Sequence, residues 1–297
     1  MRISRYEQAG ETKLGFYFDS FVVEIEVAAA AFNLANDEHL DLTQVTCILE
    51  LLPPAGRLAT DAERVAFWLD STEIPDELKT CCETVQLLIP IARPNKLFLL
   101  AGNYSAHVQE GGEQAIERAE TFPYVFMKPP TTTLTNPGQP IQIPKVNPNE
   151  IDWELELAIV IGRRIRNVTP KAASRYILGY TTAQDISDRT IQNSESQWAR
   201  AKSFDTFTPL GPYIETKIDP DCLTIQLFKN GQLCQNSSTA QMIFKCSDLV
   251  SFISTNMTLL PGDIILTGTP SGIGPIESND TLEVRIQGLA PLVNSVK

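Results

Sequence analysis

The segment DWELELAIVIG, residues 152–162, constrains the fold of this chain more than any other. Leu155, Leu157, Ile159 and Ile161 alternate with Glu154, Glu156, Ala158 and Val160. A period of two marks a β-strand, whose successive side chains leave on opposite faces. One face is wholly aliphatic. The other begins with two carboxylates and continues with Ala158 and Val160, so the strand is expected to be buried at least in part on both sides. Glu154 and Glu156 leave the same face with Cβ atoms about 6 to 7 Å apart. Two buried carboxylates at that spacing repel each other and lose hydration unless a cation compensates. The pattern admits two readings: a divalent metal held by both glutamates, or a solvated strand face where two glutamates are ordinary.

Asp185 in GYTTAQDISDRT offers a third acidic ligand, ahead of a short helix carrying Asp188, Arg189 and Gln192. Asp188 competes as a ligand but reads better as a helix cap or first-turn acid. Histidine occurs only at 39 and 107, which rules out a His-rich centre or an HExxH zinc site. A bound metal is therefore held mainly by oxygen, favouring Mg²⁺, Mn²⁺ or Ca²⁺ over zinc or copper. The six cysteines form no CxxC pair in a chain too large to need disulfide staples, and are expected to be reduced.

Charge narrows the partners. In 297 residues, 24 Lys and Arg face 36 Asp and Glu, a net charge of −12, and the pI is about 4.7. No basic footprint is present for nucleic acid or an anionic membrane. Apolar runs such as 97–101 and 157–161 fall far short of the roughly 18 residues that span a bilayer. The polar start MRISRYEQAG lacks the apolar stretch of a signal peptide, so a cytoplasmic location is expected.

Residues 1–90 form an N-terminal region without chemical signature, with helices expected over 43–51, 61–69 and 75–85. The run VQLLIPIARP, 85–94, holds two prolines and reads as an extended crossing, which sets a soft boundary before a second domain over 91–297. Six prolines between 129 and 148 predict an ordered loop, with Ile141 and Ile143 alternating as in a short edge strand. Asn230-Gly231 between two alternating runs predicts a hairpin. Residues 263–267 read as a last strand running into the turn GTPSGIG.

A second constellation is GNYSAHVQEGG, residues 102–112. If 105–110 is a short helix, His107 and Glu110 lie three residues apart and touch, and the carboxylate fixes the imidazole tautomer and raises its basicity. The alternative is a surface histidine beside an incidental glutamate. Gly102, Gly111 and Gly112 would let the helix order or open as a lid. Lys202 and Phe204 in WARAKSFDTFTPLGP add a candidate cation, although a single lysine is more often solvated. The glycines of GTPSGIG offer backbone N–H groups to an anion. That turn is neither a Walker loop, lacking GK[ST], nor a GxSxG elbow.

In order and spacing, GNYSAHVQE, FMKPPTT, DWELELAIVIG, the Asp185 segment, AKSFDTFTPLGP, the Asn-Gly hairpin with Gln235, and GDIILTGTPSGIG resemble the fumarylacetoacetate hydrolase family over roughly residues 95–285. The resemblance implies an α+β fold, a mixed β-sandwich roll with a smaller N-terminal α/β region, assembled as a homodimer with a divalent cation in the mouth of the roll. It implies metal ligands at Glu154, Glu156 and Asp185, catalytic residues His107, Glu110 and Lys202, and substrate contacts at Arg189, Gln192 and Thr269. Leu100 stands where the eponymous hydrolase has a fourth metal aspartate, so water is expected in that position. Asp188 and Thr190 around Arg189 also depart from the family's Ala-Arg-Asp pattern.

The implied chemistry is cleavage beside a 2-oxo acid, with an enolate stabilised by Lewis acidity, His107 activating water and Lys202 neutralising the developing oxyanion. The substrate expected first is a β-diketo acid of the acylpyruvate type. Decarboxylation or tautomerisation of an oxaloacetate-like or hydroxymuconate-like diacid uses the same enolate without water attack. A catalytically silent metal-binding homologue is the alternative of another class, and the intact His107, Glu110 and Lys202 argue against it.

Overall fold

The computed structural model describes residues 1–112 and 121–297. Residues Leu155–Ile161 form a strand in which every residue is buried. It pairs antiparallel with Ile177–Gln184, Glu156 facing Ala183, and with Ile264–Leu266, Ala158 facing Leu266. Both edges are thus satisfied, and both faces meet apolar packing. Leu155, Leu157, Ile159 and Ile161 enter one core, while Ala158 and Val160 enter another with Leu97 and Leu99. Each such Leu or Ile contributes about 1.5 to 3 kcal/mol by leaving water.

Among the described residues the strand is central in a twelve-stranded sheet. Its order is Thr80–Cys81, Phe21–Glu24, Glu11–Tyr17, Arg2–Gln8, Thr208–Glu215, Ile177–Gln184, Leu155–Ile161, Ile264–Leu266, Leu97–Ala101 and Tyr124–Lys128. Gln86–Leu88 and Leu134–Thr135 pair off this path. Most pairings are antiparallel, whereas Ile264–Leu266 runs parallel to Leu97–Ala101. A four-stranded antiparallel sheet, Gln232–Ser238, Thr224–Lys229, Thr281–Ile286 and Leu292–Ser295, packs through Ile225, Leu227, Leu282 and Val284 into the core that receives Leu155 and Leu157. Helices Ile25–Asn36 and Ala59–Ser71 cover the other core through Ala28, Ala29, Phe32, Ala62 and Val65. This is the mixed β-sandwich with few helices that the sequence implied. Among the described residues no helix is long and apolar enough to cross a membrane.

The first strand, Arg2–Gln8, joins the sheet that carries the glutamates, with Ile3 opposite Ile214. The expected helix at 61–69 lies within Ala59–Ser71. The other two are corrected. Residues 43–51 keep one 3₁₀ turn, Ile48–Glu50, shortly before Pro53 and Pro54. Over 75–85, helical spacing yields to sheet pairing, because Thr80–Cys81 hydrogen-bonds to Phe21–Glu24. The sequence reading missed the hairpin Arg2–Gln8/Glu11–Tyr17, although Ala9-Gly10, both at positive φ, is a turn signal between alternating runs.

The proline-rich loop is ordered: Asn294 donates to Asn136 O at 2.9 Å and Gln139 O at 2.8 Å. Its expected edge strand reduces to one bridge, Ile141 with Val296. Asn230-Gly231 turns the predicted hairpin with both residues at positive φ.

Candidate active site

Three strand ends converge where the large sheet meets a small one made of Ser187–Asp188, Ile151–Trp153 and Gly274–Pro275. Glu154 sits at the break between Ile151–Trp153 and Leu155–Ile161, and its carbonyl accepts from Asp185 N at 2.9 Å, immediately after strand Ile177–Gln184. This bond draws Asp185 alongside the glutamates. Carboxylate oxygens of Glu154, Glu156 and Asp185 lie within 4.8 Å of one another, all three residues buried. The solvated-face reading of the two glutamates therefore falls.

Basic side chains, two of them buried, surround the triad. Glu154 Oε1 accepts from Arg189 Nη2 at 2.6 Å and Ser187 Oγ at 3.2 Å, and Oε2 from Lys202 Nζ at 3.0 Å. Asp185 Oδ2 accepts from Lys202 Nζ at 2.7 Å, and Oδ1 pairs with Lys128 Nζ at 2.5 Å. Glu156 Oε2 accepts the backbone N–H of Gly268, while its buried Oε1 has no hydrogen-bond partner. With Asp152, which Arg189 Nε contacts at 2.7 Å, four carboxyl groups face three basic side chains.

That imbalance falls on Glu156. Burial, reinforced by the charges of Asp185 and Glu154, pushes its carboxyl well above the usual range. Burial also works against charge on Glu154, but Lys202 and Arg189 outweigh it and hold that carboxyl well below its ordinary value. For Lys128 burial dominates and lowers the ammonium's pKa. For Lys202 burial is overcome by Asp185 and Glu154, which raise it. An unpartnered carboxylate oxygen on a group this unwilling to ionise, beside two further buried carboxyl groups, fits a divalent cation, which would offset the repulsion at Glu156.

His107 acts electrostatically on Glu154 from helix Ser105–Glu110, where its Nδ1 is 3.3 Å from Glu110 Oε2 as the spacing predicted. The turn that offered N–H groups to an anion gives them to the chain's own carboxylates, Gly268 N to Glu156 and Gly272 N to Glu110 at 3.0 Å. Gln235 bridges the two sheets: its Oε1 accepts from Leu155 N at 3.1 Å, and its Nε2 donates to Thr269 Oγ1 at 2.9 Å. Arg189 Nη1 donates to Gln192 Oε1 at 2.8 Å, so all three guanidinium nitrogens bond within the chain. Asp188 is a cap, accepting from Ile191 N at 2.9 Å. Leu100 packs in the core.

Sequence reasoning missed Lys128, Asp152 and Asn103. Lys128 closes an otherwise apolar and aromatic strand, YVFMK, and a lysine at such a strand end was the available signal. Asn103, buried just before helix Ser105–Glu110, donates to Thr267 O at 2.7 Å and accepts from Phe244 N at 2.8 Å, tying the start of that helix to the residues after strand Ile264–Leu266.

The fumarylacetoacetate (FAA) hydrolase C-terminal description matches residues 96–297, and the chain belongs to that family. It is 37% identical over 223 residues to the mitochondrial oxaloacetate tautomerase Fahd2a of Rattus norvegicus, covering 71% of this chain and 69% of that protein. The structure of 5-carboxymethyl-2-hydroxymuconate delta-isomerase from Mycobacterium smegmatis superposes with a TM-score of 0.75 at 32% identity, over 100% of this chain and 98% of that one. Maleylpyruvate hydrolase from Sphingobium sp. SYK-6 gives 0.72 at 27% identity, over 100% and 99%.

Proposed function

We propose that the protein is a divalent-metal-dependent enzyme of 2-oxo acids, and first a hydrolase cleaving a carbon–carbon bond in a β-diketo acid of the acylpyruvate type. The observation that supports this most is the buried triad Glu154, Glu156 and Asp185, in which Glu156 Oε1 has no hydrogen-bond partner, with the His107–Glu110 pair near enough for His107 to act on Glu154. Mg²⁺, Mn²⁺ or Ca²⁺ held by these three carboxylates would supply Lewis acidity to the carboxylate and 2-oxo oxygens of the substrate.

The remaining work falls to side chains. Glu110 next to Nδ1 favours the tautomer with its proton on Nδ1, leaving Nε2 free as a base. Nε2 takes a proton from water as the water oxygen bonds to the distal carbonyl carbon. The carbon–carbon bond then breaks, its electron pair passes to the enolate, and the imidazolium returns the proton to carbon. The products are a carboxylic acid and a 2-oxo acid. Lys202 faces the developing negative charge. Thr269 Oγ1, already accepting from Gln235, keeps its own proton for a substrate oxygen, and Gln192 and Arg189 border the distal end. Arg189 acts mainly by holding Glu154 and Asp152 in place.

The 37% identity to an oxaloacetate tautomerase favours a second reading, enol–keto conversion or decarboxylation of an oxaloacetate-like diacid, or isomerisation of a hydroxymuconate-like one. Assays of metal-stripped protein supplemented with Mg²⁺ or Mn²⁺ on acylpyruvates, oxaloacetate and a hydroxymuconate diacid separate the two. Turnover of acylpyruvates alone supports the hydrolase, and of the diacids alone the second reading. Activity unaffected by chelator would count against both. The family resemblance further supports a homodimer, which light scattering at micromolar concentration tests.

A further inference from the structure

The oxygens of the triad differ in their partners. Glu154 Oε1 pairs with Arg189, Asp185 Oδ1 lies 2.5 Å from Lys128 Nζ, and Glu156 Oε2 accepts the N–H of Gly268. The other three oxygens are Glu154 Oε2, Asp185 Oδ2 and Glu156 Oε1. Lys202 Nζ bonds the first two, at 3.0 and 2.7 Å, and the third is bare. Lys202 is buried, at 3% exposure, and its ammonium thus lies between two of the three candidate ligands.

We infer that Lys202 is the internal occupant of the metal position: a divalent ion and the Lys202 ammonium compete for Glu154 Oε2 and Asp185 Oδ2, and metal loading releases the ammonium toward the substrate. The inference rests on the metal reading of the triad. An ammonium and a divalent ion drawn to the same two buried oxygens repel each other as like charges, so each weakens the other's hold at close range. The competition has two consequences. It keeps the metal-free site from collapsing under like charge, since a buried carboxylate pair without a cation is strongly destabilising. It also supplies a mobile positive charge only once the ion that orients the substrate is present.

Lys128 provides the control, because it is equally buried, carries the same charge and touches the same aspartate through the opposite oxygen. Calorimetric titration of metal-stripped protein with Mg²⁺ and Mn²⁺ is expected to show Lys202→Met binding roughly tenfold or more tighter than wild type, by loss of a charge-assisted competitor. Lys128→Met is expected to bind roughly tenfold weaker, because Asp185 loses an ion-pair partner that holds it in place. Tightening in both variants would mean that net charge alone acts, and weakening in both would make Lys202 a holder like Lys128; either overturns the competition. No binding in wild type or in either variant would overturn the metal reading itself, and the inference with it. A second measurement needs no variant: reductive methylation of wild-type protein, read by peptide mass spectrometry, should label Lys202 about tenfold faster with Mg²⁺ than without. Equal or slower labelling would show that the ammonium stays on its carboxylates.

Discussion

Glu110 Oε1 accepts the backbone N–H of Gly272 at 3.0 Å, which ties helix Ser105–Glu110, the proposed lid, to the turn between strand Ile264–Leu266 and the small sheet. The same carboxylate faces His107, so one side chain both ties down the helix and orients the imidazole. A six-residue helix is not stable by itself, and its order depends on such contacts. Glu110→Gln keeps an acceptor for Gly272 and loses the charge beside imidazole. It should retain hydrogen-exchange protection over 102–112 while turnover falls, by about 10- to 100-fold. Glu110→Ala should lose both. Equal protection in all three proteins would detach the latch from the lid.

His107 tests the chemistry directly. Under the hydrolase reading His107→Ala lowers turnover by about 100-fold or more and leaves Mg²⁺ affinity near wild type, because the imidazole is a base and not a ligand. Under a decarboxylase reading most activity survives, since enolate formation there needs no activated water. A large loss of metal affinity in this variant would place His107 among the ligands instead.

Much of the site was legible because its chemistry is written in local patterns. The alternation around Glu154 and Glu156 fixed their common face, and the i, i+3 spacing fixed the contact of His107 with Glu110. Asp185 was recognisable as a third acid, but the bond from Asp185 N to Glu154 O that brings it there is a strand-pairing event 31 positions apart in sequence. Lys128, Asp152 and Asn103 act across larger separations, and although Asp152 continues the alternation of Glu154 and Glu156, nothing local marks its partner Arg189. In the N-terminal region, residues 75–85 had helical spacing yet supplied an edge strand, because the partner Phe21–Glu24 decides the outcome.

Metal binding should appear as stability. A ligand that binds only the folded state at 100 times its Kd adds about 2.7 kcal/mol, so Mg²⁺ is expected to raise the melting temperature of the wild type by several degrees. Glu156→Gln keeps an acceptor for Gly268 and removes the carboxyl that burial and its neighbours disfavour as an anion. The metal-free variant should be as stable as wild type or more so, and its gain from Mg²⁺ should shrink. An unchanged gain would exclude Glu156 as a ligand.

Acid should loosen the four-stranded sheet through Asp280. Burial opposes its charge, but Lys229, the N–H of Glu277 and Asn230 Nδ2 together keep its carboxyl below the ordinary value of 3.8. A folded-state value below the unfolded one gives stability that is present above pH 3.8 and lost as pH falls through the lower folded value. Chemical denaturation as a function of pH should show Asp280→Asn less stable at neutrality and less sensitive to acid in that window. Parallel pH curves for the two proteins would remove Asp280 from the acid response.

Gly231 and Gly272 separate two costs of adding a methyl group. Both have positive φ, 79° and 97°, so alanine at either pays the left-handed backbone penalty of about 1 to 2 kcal/mol. At Gly231 a Cβ would meet nothing within 4 Å, whereas at Gly272 it would lie 2.4 Å from Cys234 O and 3.2 Å from Gln235 Cγ. Gly272→Ala must therefore move backbone as well, adding on the order of 1 to 3 kcal/mol. The displaced turn carries the N–H that holds Glu110 and the carbonyl that accepts Trp153 Nε1 at 3.0 Å. Gln235, pushed by the same methyl, anchors Leu155 N beside the glutamates. Urea denaturation should show Gly272→Ala losing clearly more stability than Gly231→Ala, and only the former should lose lid protection and turnover. Equal losses in the two variants would mean that the turn yields freely, and that the latch between Glu110 and Gly272 is too soft to hold the lid.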